Sequence, residues 1–66
     1  MGASKMKDFS GYTIWSASSV MTNYNGKKVV KTIRKAIPND DDSTLWIVKV
    51  KGVKRYLEVY EDEMYK

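Results

Sequence analysis

The residues best suited to ligand binding are the Lys and Arg residues of two short stretches. Residues 27–35 carry five cations and residues 49–55 carry four, and neither stretch contains an acidic residue. The nine are Lys27, Lys28, Lys31, Arg34, Lys35, Lys49, Lys51, Lys54 and Arg55. Clustered cations attract phosphate groups, and neutralising the phosphates of a nucleic acid releases condensed counterions. If the turns beside these stretches lie at one end of the fold, the two clusters form one positive surface.

Tyrosines are interspersed with the second basic stretch. Tyr56 and Tyr60 are expected to share a strand face with Lys49 and Lys54, because side chains alternate along a strand. On a single strand, stacking of a base on an aromatic ring contributes about 1–3 kcal/mol. The sequence therefore predicts a small basic domain that binds single-stranded or duplex DNA or RNA with low sequence specificity. The nine cations contact phosphates in this prediction, and the two tyrosines stack bases.

The same residues also fit a different function. Lysines on the solvent face of a strand suppress edge-to-edge aggregation, and tyrosines between charges fill cross-strand pairs. A basic domain of this size can bind an acidic protein surface or the edge of a partner's sheet. The acidic segment at residues 58–63 suits this alternative, a protein-interaction module or small regulatory inhibitor, because it repels phosphate. Self-association into a homodimer would complete a thin core.

Most enzymatic and metal chemistry is excluded by composition. The chain has no His and no Cys, so it lacks an imidazole base, a thiolate nucleophile and the ligands of ordinary zinc sites. The consecutive residues Asp40, Asp41 and Asp42 do not follow the alternate spacing of an EF-hand loop. No glycine-rich phosphate-binding motif occurs. We therefore expect no enzyme, no cofactor and no metal site.

Length and composition indicate one small folded domain. The 66 residues are 42% hydrophobic and 30% charged, with a net charge of +4, which is typical of a folded basic domain rather than a disordered chain. Residues 1–8 are expected to form a flexible leader and residues 9–66 the domain. The sequence contains neither an apolar run of roughly 20 residues nor a secretory signal. It therefore predicts a cytoplasmic protein without membrane contact.

The dipeptide Asn25-Gly26 is the strongest turn signal in the first half of the chain. Asn-Gly favours a type I′ turn, since both central residues of that turn need a positive φ. Residues 12–24 are rich in Ser, Thr, Val, Ile and Trp, a composition that favours an extended segment. We expect this segment to pair across the turn with the residues that follow, and we expect Trp15 to lie in the core.

Residues 27–37 fit two structures. Five apolar residues recur at helical spacing, with the five cations on the opposite side. They are Val29, Val30, Ile33, Ala36 and Ile37. However, β-branched residues form helices poorly, and Lys27 and Lys28 would oppose the dipole at a helix N-terminus. We favour a strand, with an amphipathic basic helix as the alternative; the cations face solvent in both.

The last third of the chain predicts a β-hairpin. Residues 44–50 and 53–60 are rich in β-forming residues with partly alternating polarity, on either side of a turn at Lys51-Gly52. With Val50 opposite Val53, the core face carries Trp46, Val48, Val50, Val53, Leu57 and Val59. Residues 61–66 are expected to form an irregular turn or a short helix.

Together these elements predict a mainly β fold, a small antiparallel sheet or barrel of about four strands. A barrel would remove exposed strand edges. The alternative is an α+β fold in which residues 27–37 form a basic helix packed on a three-stranded sheet.

Overall fold

The computed structural model describes residues 7–66, and these residues form mainly β structure, as predicted. The strands are β1 (Thr13–Ile14), β2 (Val29–Lys35), β3 (Leu45–Val50), β4 (Leu57–Tyr60) and β5 (Met64–Tyr65), with 3-10 helices at Thr22–Tyr24 and Glu61–Glu63. The described residues thus contain five strands, whereas the sequence predicts about four. The additional short strand is β5, which follows a 3-10 helix at the end of the chain. The expected leader, residues 1–8, lies outside the described residues except for its last two.

The strands form two antiparallel sheets that are joined through β1. β2, β3 and β4 form a three-stranded sheet in that order, and β1 pairs with β5. On its other side β1 contacts the chain just before β2, where Thr13 bridges Lys28 and the Ile14 N–H donates to the Lys27 carbonyl at 2.9 Å. The hydrogen-bonded order is therefore β5-β1-β2-β3-β4, with a 3-10 helix connecting β4 back to β5.

The core lies between the inward faces of these strands. Its buried residues are Phe9, Ile14, Val29, Trp46, Val48, Val50, Leu57, Val59 and Met64. The Phe9 ring packs on Trp46 with centroids 5.6 Å apart. Five of the six residues of the predicted core face are buried, and Val53 is half-buried against them. The alternation of the sequence therefore identified the core side of the hairpin correctly.

Residues 27–37 contain strand β2, so the alternative α+β fold is wrong. The pairing of β2 with β3 shifts by one residue between Val29 and Lys31 and again between Thr32 and Arg34. Each shift is a β-bulge, which places two residues opposite one. The buried positions Val29 and Thr32 are consequently three residues apart. A strand bulged in this way resembles a helix in sequence, because its buried positions recur at nearly the helical interval.

The hairpin between β3 and β4 has a register two residues away from the predicted one. Trp46 lies opposite Val59 and not opposite Leu57. The tight turn at Lys51-Gly52 forms, since the Val53 N–H donates to the Val50 carbonyl at 3.1 Å, but residues 53–56 are irregular and β4 begins only at Leu57. A shift of two residues leaves each paired side chain of β3 and β4 on its expected face. The predicted core face is therefore still the buried one.

The segment before Asn25-Gly26 differs most from the prediction. Asn25 has φ −61° and ψ 136° and Gly26 has φ 86°, the values of a type II turn and not of type I′. Only Thr13–Ile14 is a strand, and residues 15–21 form an irregular excursion. The Asn25 side chain holds this excursion by accepting from the Ser16 N–H at 2.7 Å and donating to its carbonyl at 3.1 Å. Trp15 is 61% exposed, so its expected core position is wrong.

Candidate nucleic-acid interface

The two turns that flank the basic stretches lie side by side. The Lys51 N–H donates to the Lys28 carbonyl at 2.9 Å. The Lys27 Nζ lies 4.0 Å from the position that a Cβ on Gly52 would occupy. Arg55 Nη2 donates to the Tyr24 hydroxyl at 3.1 Å, and the Tyr24 carbonyl accepts from the Lys27 N–H at 3.1 Å. These contacts unite Lys27, Lys28, Lys51 and Arg55, with the exposed Lys54 between the last two; we call these five residues the basic turn cluster.

Two further cations extend the positive charge onto the sheet. Lys31 of β2 lies directly opposite Lys49 of β3. Two like charges in directly opposite positions destabilise a sheet. The Lys49 ammonium donates to the Val53 carbonyl, at the base of the Lys51-Gly52 turn. The pair thus adjoins the basic turn cluster, and we expect its like charges to lower the stability of the sheet.

The basic turn cluster is not neutralised by carboxylates. Among residues 7–66, the one salt bridge with a nitrogen–oxygen distance of at most 4.0 Å joins Lys7 to Glu61. It involves none of these cations. All eight acidic residues of the chain fall within this range. The positive charge of the cluster is consequently available to an external anion.

Arg34 and Lys35 belong to the opposite end of β2. The Lys35 Nζ donates to the Asp40 carbonyl at 3.2 Å, and Arg34 Nη1 donates to the Lys35 carbonyl at 2.9 Å. Arg34 lies opposite Ile47, which in turn lies opposite Glu58. Both of these hydrogen bonds are to backbone carbonyls, and the closest link to an acid is the charge of Lys35, which helps to lower the pKa of Glu61. The structure brings seven of the nine predicted cations together and leaves these two outside.

The predicted tyrosines are separated from each other. Tyr56 is exposed and directly follows the cations of residues 54 and 55. Tyr60 lies opposite Leu45, four residues along β3 from Lys49, or about 13 Å at 3.3 Å per residue. Its backbone N–H donates to the Glu63 carboxylate at 3.2 Å. Tyr60 therefore shares no local surface with Lys49, and the irregular residues 53–56 remove Lys54 from the strand face as well.

Trp15 and Tyr65 are the aromatic residues that the sequence interpretation missed. Tyr65 is 54% exposed and lies opposite Thr13. Thr13 bridges Lys28 on its other side. A row of neighbouring backbone positions therefore leads from Tyr65 through Thr13 and Lys28 to Lys51, and Trp15 directly follows the end of β1. One signal was present in the sequence: consecutive residues of a strand face opposite sides, so Ile14 and Trp15 could not both enter the core.

The acidic residues near the chain end are engaged in internal contacts. The Glu63 carboxylate accepts from the Ser16 hydroxyl and from the Tyr60 N–H. The Glu61 carboxylate accepts from Trp46 Nε1 at 2.7 Å and from the Lys7 ammonium at 3.1 Å. Burial raises the pKa of Glu61, but these two donors and the charges of Lys7 and Lys35 outweigh it and hold the pKa below its ordinary value.

The part of the chain that the structure describes contains neither a metal site nor a membrane-spanning helix. Within residues 7–66, no three His, Cys, Asp or Glu side chains are placed to hold a metal ion together. No helix in that range has the length and apolar character needed to cross a membrane. No protein-family model, curated protein sequence or solved structure matches the chain. The function is consequently inferred from the geometry of the charged and aromatic surface.

Proposed function

We propose that this protein is a small nucleic-acid-binding domain that contacts phosphates through the basic turn cluster with low sequence specificity. The observation that carries the proposal is the union of five cations from two separate stretches, with no carboxylate from residues 7–66 within 4.0 Å of them. Lysine and arginine side chains on adjacent turns can follow a phosphate backbone without reading base edges. A cytoplasmic location, expected from the sequence, belongs to the same proposal.

The proposal makes a quantitative prediction about salt. Log affinity falls linearly with log salt concentration, with a slope of about −0.9 per neutralised phosphate on duplex DNA and about −0.7 on a single strand. If all five cations of the cluster contact phosphates, the slopes are about −4.5 and about −3.5. Raising the salt from about 50 to about 200 mM then weakens duplex binding roughly 500-fold and single-strand binding roughly 100-fold.

Fluorescence anisotropy with labelled oligonucleotides tests the proposal against a matched control. Lys28→Gln with Lys51→Gln removes two adjacent charges of the cluster; Arg34→Gln with Lys35→Gln removes two charges at the opposite end. Both pairs lower the net charge equally. We expect the first pair to weaken binding roughly 10- to 100-fold and to reduce the duplex slope by about 1.8. The control should change affinity only slightly, because charges beyond about 10 Å are screened.

Two results would contradict the proposal. One is the absence of binding to any oligonucleotide at low salt. The other is an equal loss for the two pairs, since binding would then follow net charge and not the basic turn cluster. Far-UV circular dichroism of each variant confirms that the β structure is retained.

A second candidate function, a protein-interaction module or small regulatory inhibitor, is favoured by the edge of β4. No strand of residues 7–66 pairs with the outer side of β4. The Glu61 N–H donates to the Thr44 carbonyl at 2.9 Å, and antiparallel pairs alternate, so Glu58 turns its backbone N–H and carbonyl away from β3. A partner strand, or a second copy in a homodimer, could pair there.

Substitution at this edge tests the second candidate. Glu58→Pro removes the outward N–H, and proline is tolerated at sheet edges. Loss of a protein partner or of self-association in analytical ultracentrifugation, with unchanged oligonucleotide binding, would support the second candidate. A partner that disappears after nuclease treatment would instead support nucleic-acid binding.

A further inference from the structure

We infer that the preferred ligand is a single strand of nucleic acid, with Trp15 and Tyr65 as the platform on which its bases stack. This inference rests on the proposed function, because the basic turn cluster supplies the phosphate contacts. It adds a site for the bases and a preference between two forms of nucleic acid. The site consists of two aromatic rings outside both basic stretches.

The two aromatic residues stand beside each other at the β1–β5 pair, Tyr65 within β5 and Trp15 directly after β1. Ile14 lies opposite Met64, and both side chains are buried. The residues that follow them in the chain, Trp15 after Ile14 and Tyr65 after Met64, are exposed. Tyr65 lies opposite Thr13, and the Trp15 N–H donates to the Glu63 carbonyl at 2.9 Å. Trp15 and Tyr65 are therefore diagonal neighbours, at positions roughly 7–8 Å apart.

The phosphate contacts lie beside this platform. Thr13 bridges Lys28, whose carbonyl accepts from the Lys51 N–H. At about 4.8 Å between neighbouring strands, Lys28 is one spacing from Thr13 and Lys51 is two. A chain whose phosphates follow these lysines can direct its bases across β1 onto the two rings. The positions of the charges and the rings therefore match a single polymer that carries both phosphates and bases.

The rings are exposed where burial would otherwise stabilise the fold. Trp15 and Tyr65 each expose more than half of their surface. The aromatic pairs of residues 7–66 join Phe9 to Tyr12 and Phe9 to Trp46 and include neither ring. The carboxylate nearest along the strand pair, that of Glu63, is engaged by Ser16 and Tyr60. Both rings are thus free to stack, and they stand on a backbone held by hydrogen bonds.

A duplex cannot use this platform. Its bases are already paired and stacked inside the helix, whereas a single strand can splay bases onto aromatic side chains. Lysine contacts to phosphates serve both forms. The aromatic pair should therefore contribute to single-strand binding alone.

The test compares anisotropy on an oligothymidine and on a duplex of equal length. Trp15→Ala and Tyr65→Ala should each weaken single-strand binding about 5- to 150-fold and leave duplex binding nearly unchanged. Trp15→Phe and Tyr65→Phe should retain most of the single-strand affinity, because a ring remains. The matched control, Tyr60→Ala, removes an exposed ring outside the row and should preserve the single-strand preference. Thermal melts verify folding.

The outcomes separate this inference from the proposed function. If the alanine variants bind the single strand like the wild type while Lys28→Gln with Lys51→Gln loses affinity, the platform is refuted and phosphate binding stands. If neither oligonucleotide binds the wild type, the proposed function itself fails. If vesicles containing phosphatidylserine bind Trp15 and oligothymidine does not compete, the surface belongs to an anionic membrane and the inference is overturned. Selective single-strand loss in both alanine variants supports it.

Discussion

The two ends of β2 carry similar cations in very different surroundings. At the start of the strand, Lys28 meets Lys51 across a backbone hydrogen bond, and no carboxylate of residues 7–66 lies within 4.0 Å of either. At its end, Lys35 contacts the Asp40 carbonyl and contributes to the low pKa of Glu61. In the proposed function the first end supplies its charge to a ligand, whereas the second acts on the acidic end of the fold through Lys35. Charge density along the sequence therefore does not decide which cations are available for binding.

The largest effect expected at the acidic end follows from removing Glu61. Its carboxylate accepts from Trp46 Nε1 at 2.7 Å, and Trp46 is only 3% exposed. Glu61→Ala leaves this buried N–H without a partner and should lower the free energy of unfolding by about 1–3 kcal/mol. Urea denaturation measures the change. Oligonucleotide affinity should not fall, because Glu61 is remote from the basic turn cluster.

The neighbouring Asp62 provides the control. Asp62→Ala removes the same charge from the same exposed turn, where no side-chain hydrogen bond to Trp46 exists. Its stability should stay within about 0.5 kcal/mol of the wild type. Equal destabilisation by the two substitutions would show that the Trp46 contact is not the cause.

The same carboxylate gives the acidic end a pH dependence. Burial raises the pKa of Glu61, but the bonds from Trp46 and Lys7 outweigh burial and place it below the ordinary 4.5. The folded state therefore binds this proton less readily than the unfolded state. The resulting stability is complete above pH 4.5 and is lost as the pH falls through the folded-state pKa.

Two measurements check this prediction. An NMR titration of the Glu61 carboxyl carbon should have its midpoint below 4.5. Glu61→Gln retains an acceptor for Trp46 but has no proton to gain, so it should lose less stability than the wild type between neutral pH and about pH 3. A carboxyl midpoint at or above the ordinary value would refute the account.

The contrast between the ends also separates what local sequence could predict from what it could not. Alternation identified the core side of β3 and β4, and an even register error left that side unchanged. The bulges of β2 were not predictable, because they are fixed by pairing with β3 and give Val29 and Thr32 a three-residue spacing that resembles a helix and not a strand. The surroundings of Lys35 depend on where residues 36–44 return, which is a tertiary property.

The site was predictable to a similar extent. The sequence predicts one positive surface on the condition that the two turns lie close together, and the structure brings Lys28 and Lys51 together. The exposure of Trp15 was missed because its apolar character outweighed its position beside Ile14 on β1. The role proposed for Tyr65 depends on pairing with a strand more than fifty residues earlier in the chain, a contact without a local sequence signal.

The smallest expected effect concerns the like-charged pair of Lys31 and Lys49. Directly opposite like charges are unfavourable, and opposite charges contribute roughly 0.2–1 kcal/mol. Lys31→Glu should therefore raise the free energy of unfolding by a few tenths of a kcal/mol up to about 1 kcal/mol. It should also weaken oligonucleotide binding, because it places a carboxylate beside the basic turn cluster. Urea denaturation and anisotropy on the same variant measure both changes.

Arg34→Glu, also on the exposed side of β2, is the control for this pair. Arg34 lies opposite the apolar Ile47, with Glu58 one strand further, so a carboxylate there has no cation directly opposite it and approaches an existing acid. It should not stabilise the fold, and it should weaken binding less than Lys31→Glu. If Lys31→Glu raises the stability of the fold and weakens oligonucleotide binding, Lys31 contributes to ligand binding at the expense of stability. A Lys31→Glu variant that is no more stable than the wild type would contradict the idea that the Lys31–Lys49 pair costs stability. The two ends of β2 would then differ only in how far their cations lie from carboxylates.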